Sequence, residues 1–286
     1  MMPAASPRPY EFRQVDVFTA VPLLGNPLAV VHGADDLDED RMAAFARWTG
    51  LSETTFLLRP TVAGADYRLR IFTPSGELPF AGHPTLGSCH AWLQAGGRPR
   101  AADIVQECGV GLVRIRRDQG RLAFAAPPLR RSGPIDPATL AQAARGLGIA
   151  PQAIVAANWV DNGPAWIAVM LASRADVLAL KPDFPALGTL KLGVVGPWDP
   201  ATDGAEAQFE VRAFAPGLGI PEDPVTGSLN AGVAQWLIGA GLAPASYVAS
   251  QGTARGRAGR LYISRADGDI WVGGDVADCV TGEVLL

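Results

Sequence analysis

The hydrophobic pattern of the chain changes period repeatedly and predicts many short strands and a few helices. Alternating or short apolar runs indicate strands, and apolar residues at helical spacing indicate helices. The predicted strands are residues 14–20, 28–31, 54–58, 67–73, 104–107, 111–116, 121–125, 154–160, 165–171, 192–195, 206–214, 260–264, 269–273 and 276–286. The predicted helices are residues 38–50, 84–95, 136–147, 173–180 and 225–238.

Two stretches about 140 residues apart resemble each other, RIFTPSGELPFAGHPTLGS (Arg70–Ser88) and VRAFAPGLGIPEDPVTGS (Val211–Ser228). With a two-residue gap, the aligned pairs are Arg70 with Arg212, Phe72 with Phe214, Pro74 with Pro216, Pro84 with Pro224, Gly87 with Gly227 and Ser88 with Ser228. This alignment predicts that His83 and Asp223 occupy the same position in two similar halves. We expect the halves to be residues 1–127 and 128–275, with strand 276–286 joining the first, and a small-ligand site in a cleft between them.

Composition narrows the range of partners. The 286 residues are 48% hydrophobic and 18% charged, with a net charge of −4. This balance indicates a folded chain and gives no electrostatic reason to expect nucleic acid or an anionic membrane as a partner. The three cysteines form no CxxC pair, and neither a signal-type apolar segment nor a run of about 18 apolar residues is present. We therefore expect a cytoplasmic protein without disulfides.

Two residues before prolines are candidates for chemistry. His83 and Asp223 each precede a proline near a predicted helix start, which places them at or near the helix N-cap. For Asp223 a capping role would be a sufficient explanation by itself, whereas histidine is a poor cap and this explanation is weaker for His83. The positive end of the helix dipole disfavours imidazolium, so His83 is expected to act as a neutral acceptor or polariser. Gly227 and Ser228, like Ser88, place small residues near helix starts that favour a bound carboxylate.

Glu53 is the candidate general base. It lies between a predicted helix end and a β-branched strand, next to Ser52. An exposed carboxylate at a strand edge is one reading, and a general base whose pKa is raised by an apolar cleft is the other. Glu77 and Glu222 are expected to be structural, bonding loop N–H groups. The three histidines show no HExxH spacing, so no metal site is expected.

The chain resembles the PhzF family of phenazine biosynthesis-like isomerases. The resemblance covers nearly the whole sequence through the motifs VDVFTAVPLLGNPLAVV, LSETTFL, RIFTPSGELPFAGHPTLG, EDPVTGS and SQGTARGRAGRLYI. It implies an α+β fold of the diaminopimelate epimerase-like type, in which two pseudo-symmetric halves each curl a sheet around a central helix. It also suggests a homodimer.

The same resemblance implies a cofactor-independent isomerase that moves a proton on a small carboxylate, as in trans-2,3-dihydro-3-hydroxyanthranilate isomerase. Glu53 is expected to shuttle the proton, with His83 and Asp223 as further catalytic residues. The candidate substrate-binding residues are Ser52, Gly82, Ser88, Gly227 and Ser228.

Two other functions stay open at this point: an epimerase acting on an amino acid, and a non-catalytic small-molecule-binding protein on the same scaffold. Related racemases need a cysteine in each of the two matching loops, which here are residues 74–84 and 216–224. Neither loop contains one, and Cys89 lies within a predicted helix. A two-thiol mechanism is therefore not expected.

Overall fold

The computed structural model describes residues 7–118 and 120–286, apart from the side chains of residues 218 and 220. The first six residues of the predicted first half lie outside this range. Two compact units are present. Unit 1 contains the described residues up to Leu23, Pro27–Phe124 and Val276–Leu286, and unit 2 contains Leu24–Asn26 and Ala125–Asp275.

Strands dominate both units. The strands are β1 (Pro9–Val17), β2 (Asn26–Val31), β3 (Thr54–Leu58), β4 (Tyr67–Thr73), β5 (Gly76–Leu78), β6 (Ile104–Cys108), β7 (Gly111–Asp118), β8 (Arg121–Ala125), β9 (Arg131–Gly133), β10 (Ala156–Asp161), β11 (Ile167–Met170), β12 (Leu192–Pro197), β13 (Phe209–Ala215), β14 (Ile220–Asp223), β15 (Ser246–Gln251), β16 (Gly259–Ala266), β17 (Asp269–Gly274) and β18 (Val276–Leu285). The helices are α1 (Glu39–Thr49), α2 (Gly82–Gln94), α3 (Pro137–Leu147), α4 (Arg174–Ala179), α5 (Phe184–Leu187) and α6 (Gly227–Gly239), with 3₁₀ turns at Pro151–Ala153, Pro216–Leu218 and Thr253–Arg255. None of the helices in the described residues is both long enough and apolar enough to span a membrane.

In unit 1 the sheet surrounds one buried helix. Strand β2 pairs parallel to β3, β3 antiparallel to β4, and β4 parallel to β6, after which β6, β7 and β8 run antiparallel. Strand β18 pairs antiparallel with β1 along its length. Helix α2 is buried from its first residue through Cys89, because apolar and small residues lie on all its faces.

Unit 2 repeats this order of pairings. Strand β11 pairs parallel to β12, β12 antiparallel to β13, and β13 parallel to β15, after which β15, β16 and β17 run antiparallel. Its central helix is α6, which is also largely buried. The fold is thus duplicated, as the matching element order predicts.

Matching ion pairs confirm the first part of the sequence alignment. Arg70 donates two hydrogen bonds to Glu77, at 2.8 and 2.6 Å, and Arg212 donates two to Glu222, at 2.8 and 2.9 Å. Each guanidinium also lies 5.0 Å from the ring of the phenylalanine two residues later. Glu77 and Glu222 are therefore structural, but they bind arginines and not the loop N–H groups that we expected.

The second part of the alignment is wrong, because the two central helices match from their first residues. Gly87 and Gly232 are each the sixth residue of their helix. A Cβ on Gly87 would lie 2.9 Å from Val17 Cγ2, and one on Gly232 would lie 2.4 Å from the Val160 carbonyl oxygen. Both glycines thus allow a close approach of the helix to a strand.

A second pair of contacts supports the same register. The fourth residue of α2, Thr85, accepts a hydrogen bond from Gln106 of β6 at 3.1 Å. The fourth residue of α6, Asn230, donates one to Gln251 of β15 at 2.8 Å. The structural counterpart of His83 is therefore Ser228, the second residue of α6, and Asp223 lies in the longer loop that precedes that helix.

Most predicted elements are present, and the differences have local causes. Strand β1 ends at Val17 and not at residue 20, because Phe18 takes a left-handed conformation with φ 67°. Helix α1 is capped by Asp38 and ends at a left-handed Gly50, as its sequence signals predict. Strands β5, β9, β14 and β15 and helix α5 were not predicted, since these short segments carry weak periodicity.

Candidate active site

Glu53 is the last residue before a buried strand. Gly50 ends α1 with φ 65°, and three residues later the chain reaches Glu53, which directly precedes β3. Thr54 is fully buried, so the backbone at this point is fixed by the sheet. The Glu53 side chain is only 14% exposed, which excludes the reading as an ordinary surface carboxylate.

The Glu53 carboxylate faces the imidazole of His83. Glu53 Oε2 lies 3.5 Å from His83 Nε2, and the His83 side chain is 5% exposed. Among the described residues, Glu53 Oε2 is buried and has no hydrogen-bond partner. Burial raises the pKa of Glu53 from its ordinary value of 4.5 to about 7, and the Ser52 side chain opposes this shift. A carboxyl group with this pKa is present in both its protonated and its ionised form near neutral pH.

His83 is the second residue of α2, and this corrects its expected capping position. The N-cap is Ala81, which makes no side-chain capping bond, and Gly82 is the first helical residue. Pro84 is therefore the third helical residue and not the first. The helix start itself is held by Thr85, whose hydroxyl donates to the Ala81 carbonyl oxygen at 2.9 Å.

Asp223 ends β14 and does not cap α6, so capping does not explain it. The residue at the N-cap is Thr226. The Asp223 carboxylate accepts hydrogen bonds from Asn26 Nδ2 at 3.0 Å and from Thr226 Oγ1 at 2.5 Å. Asn26 belongs to unit 2 because its neighbours in the chain are bound there: Ala258 N donates to the Leu24 carbonyl oxygen and Arg257 to that of Gly25.

Gly227 and Ser228 form the first turn of α6. Ser228 Oγ accepts a hydrogen bond from Trp166 Nε1 at 3.1 Å, and the Ser228 carbonyl oxygen accepts one from Asn162 Nδ2 at 2.8 Å. Since the indole N–H occupies an acceptor site of the hydroxyl, the hydroxyl hydrogen of Ser228 is directed elsewhere. Ser228 is therefore arranged to donate to an acceptor group.

The other predicted binding residues differ in their accessibility. Gly82 is buried at the start of α2, and Ser52, which adjoins Glu53, is half-buried. Ser88 is fully buried, and its hydroxyl donates to Thr55 Oγ1 at 2.9 Å within the core of unit 1. The structure therefore gives Ser88 a packing role and leaves no route for substrate binding by its hydroxyl.

The described residues show no arrangement of side chains suited to thiol or metal chemistry. Burial raises the pKa of Cys89 to about 12, so its thiol is a poor base. No group of three or more His, Cys, Asp or Glu side chains among the described residues is placed to hold a metal ion. Two cavities of about 410 and 540 Å³ lie in unit 2, and neither is lined by a predicted site residue.

Sequence reasoning missed four residues that bind the candidates Asp223 and Ser228: Asn26, Thr226 and Gln251 contact Asp223, and Trp166 contacts Ser228. Asn26, Thr226 and Gln251 lie within the motifs that carry the family resemblance, but no local pattern in those motifs distinguishes these side chains. Trp166 carried no signal, because a buried tryptophan before a strand is an ordinary core residue.

Comparison with known proteins places this architecture in a family. The profile of the phenazine biosynthesis-like protein family matches residues 15–275. The chain belongs to this family of isomerase-like proteins. It is 36% identical to trans-2,3-dihydro-3-hydroxyanthranilate isomerase of Pseudomonas aeruginosa over 89% of both chains. It is also 36% identical to antisense-enhancing sequence 1 of Schizosaccharomyces pombe, over 97% of this chain and 99% of that protein.

Solved structures agree with the fold. A PhzF family protein from Enterococcus faecalis superposes with a TM-score of 0.80 at 26% identity, covering 98% of this chain and all of that one. A probable proline racemase from Agrobacterium radiobacter superposes with a TM-score of 0.59 at 13% identity, covering 96% of this chain and 92% of that one, and shares the fold alone. The fold is the diaminopimelate epimerase-like one that the resemblance implies.

Proposed function

We propose that the protein is a cofactor-independent isomerase that moves a proton between two atoms of a small carboxylate substrate. The observation that carries this proposal is the environment of Glu53: its buried Oε2 has no hydrogen-bond partner among the described residues and faces His83 at 3.5 Å. A carboxyl group with a pKa near 7 is suited both to accept a proton and to return it at neutral pH.

In the proposed reaction, the Glu53 carboxylate removes a proton from a carbon of the substrate. The electron pair of the broken C–H bond moves into the substrate's π system, and Glu53 becomes a neutral carboxylic acid. That acid then returns the proton to a different carbon, which restores the carboxylate. No oxidant or external proton donor is required, since the proton and the electron pair stay within the substrate and Glu53.

His83 and the unit 2 residues are assigned supporting roles. The His83 imidazole, in contact with Glu53, is proposed to orient the carboxyl group and to polarise the substrate. Ser228, whose hydroxyl hydrogen is not directed at Trp166, is proposed to donate to the substrate carboxylate together with the amides of the first turn of α6. Asp223 is proposed to bind a polar substituent of the substrate.

The substrate class follows from the relatives only by analogy. The Pseudomonas aeruginosa relative is named for a hydroxylated dihydroaromatic amino acid, and we propose a compound of this class as the substrate. The homodimer and the cytoplasmic location are proposed on the same resemblance.

The decisive test is Glu53→Gln, assayed with trans-2,3-dihydro-3-hydroxyanthranilate. We expect kcat to fall by about 10²- to 10⁴-fold, the usual contribution of a positioned acid–base group, while substrate affinity changes little. In the wild type, kcat/KM should rise with pH through about 7, because the base must be ionised to act.

Glu283→Gln is the matched control, since it makes the same change at an exposed residue of β18. Its kcat should equal that of the wild type. Full activity of Glu53→Gln with this substrate would rule out the proton-shuttle role. Binding of the substrate without turnover by the wild type would instead favour a non-catalytic binding protein.

A further inference from the structure

We propose that Gln251 is a positioning residue for Asp223, which it holds in place through the backbone of Asp223 and the hydroxyl of Thr226. This inference rests on the proposed function, because it concerns the residue assigned to bind a substrate substituent. Gln251 is 1% exposed and ends β15, so it acts from beneath the loop and not on the substrate.

Both ends of the Gln251 side chain bind the segment Asp223–Thr226. Its Nε2 donates to the Asp223 carbonyl oxygen at 3.1 Å and to Thr226 Oγ1 at 3.0 Å. Its Oε1 accepts from Thr226 N at 3.0 Å and from Asn230 Nδ2 at 2.8 Å. The amide therefore connects this segment to α6 and leaves little freedom to the turn that carries Asp223.

The contact with Thr226 also fixes the direction of a hydrogen bond. A hydroxyl carries one hydrogen, and Gln251 Nε2, which is only a donor, must use an acceptor site of Thr226 Oγ1. The single hydroxyl hydrogen is then available to Asp223 Oδ2, at 2.5 Å. Thr226 makes no side-chain capping bond to α6, although it occupies the N-cap position. Gln251 thus makes Thr226 a donor to Asp223.

The duplicated fold supplies a natural comparison in Gln106. Gln106 of β6 is also a fully buried amide, and like Gln251 it contacts the fourth residue of its central helix. Its Oε1 accepts from the Tyr67 hydroxyl at 3.1 Å, and its Nε2 donates to Thr85. In the described hydrogen bonds it contacts no candidate catalytic residue. The contacts to the Asp223 segment are therefore specific to Gln251.

The test compares Gln251→Glu with Gln106→Glu in the full-length protein. Each substitution keeps the side-chain shape and the acceptor oxygen but removes the N–H donor. In Gln251→Glu the Thr226 hydroxyl is expected to turn toward the new carboxylate and to leave Asp223. We expect kcat with trans-2,3-dihydro-3-hydroxyanthranilate to fall about 10- to 100-fold below that of Gln106→Glu, at similar melting temperatures.

Thr226 variants test whether Gln251 affects kcat through the Thr226 hydroxyl. Thr226→Val should lower kcat, whereas Thr226→Ser, which keeps the hydroxyl, should lose less. Adding Gln251→Glu to Thr226→Val should have little further effect on kcat, because both changes remove the same hydrogen bond to Asp223. Equal kcat values for Gln251→Glu and Gln106→Glu, or additive losses in the double variant, would overturn the proposal. If Gln251→Glu does not fold, Gln251→Met replaces it in the same comparison.

A structural measurement separates this proposal from the proposed function. If the wild type does not turn over the compound, the proposed function fails, and crystal structures of the two glutamate variants decide the positioning role. The contact between Asp223 Oδ2 and Thr226 Oγ1 should be lost in Gln251→Glu and kept in Gln106→Glu. An intact contact in both variants would refute the positioning role whatever the activity.

Discussion

Replacing Glu53 by glutamine should stabilise the protein at alkaline pH while it strongly lowers kcat. The carboxyl group is held in a buried site without a hydrogen-bond partner for Oε2 among the described residues. Ionising it in the folded protein therefore costs free energy, whereas in the unfolded chain water solvates the charge and this cost is absent. Glutamine has nearly the same shape and never ionises. The variant therefore removes this cost without creating a cavity.

The magnitude follows from the pKa of Glu53. It rises from 4.5 in the unfolded chain to about 7 in the fold, and each pKa unit corresponds to about 1.4 kcal/mol, so the full effect is about 3 kcal/mol. Between these two values the folded protein retains a proton that the unfolded chain releases. The wild type therefore loses stability as pH rises from about 4.5 to about 7, and the loss stays constant above that range.

The assay is urea denaturation of wild type and Glu53→Gln at about pH 5 and about pH 8. The free energy of unfolding of the variant minus that of the wild type should increase by about 2 to 3 kcal/mol between these conditions. Glu283→Gln should show no such increase, and repeating the pair in a His83→Asn background removes the contribution of the imidazole. A difference between wild type and Glu53→Gln that does not change with pH would refute the burial of the Glu53 carboxyl group as the origin of the shift.

Two further predictions concern unit 2. Trp166→Phe removes the indole N–H that binds Ser228 Oγ, so KM for the carboxylate substrate should rise several-fold with little change in kcat. In a Ser228→Ala background the Trp166 substitution should not change KM further. Independent effects of the two substitutions on KM in the double variant would contradict this. Gly232→Ala should destabilise the protein by about 1 to 3 kcal/mol in thermal or urea unfolding, since the new Cβ would lie 2.4 Å from the Val160 carbonyl oxygen. Gly239→Ala in the same helix meets nothing within 4 Å and should be neutral or stabilising, and equal losses at both glycines would contradict the packing argument.

Local sequence signals were reliable wherever the controlling interactions are local. The helix signals at Asp38 and Gly50 give α1 its ends, because capping depends on a few neighbouring residues. Alternation identified β4 residue by residue. Apolar residues at helical spacing are not all buried, since Trp48 of α1 is 80% exposed and stacks on Phe45 at 5.8 Å.

The sequence alignment of the two repeats pairs equivalent residues correctly in its first part and incorrectly in its second part. The matched arginines and phenylalanines kept their register because each arginine binds a glutamate in its own unit. The prolines and glycines further along matched by identity alone, and they misplaced Asp223 opposite His83. Packing of Gly87 and Gly232 against strands far away in sequence determines the true register, and no local pattern records it.

The sequence by itself determined the order of elements, the duplication and the family, and its motifs named Glu53, His83, Asp223 and Ser228 as candidates. Only the tertiary structure decided their environments. The pKa of Glu53 depends on burial beside a helix that begins about 30 residues later, and the Asp223 carboxylate is held by Asn26 and Thr226. Desolvation and hydrogen-bond direction arise from neighbours that are distant in the chain, so they become visible only when the chain is folded.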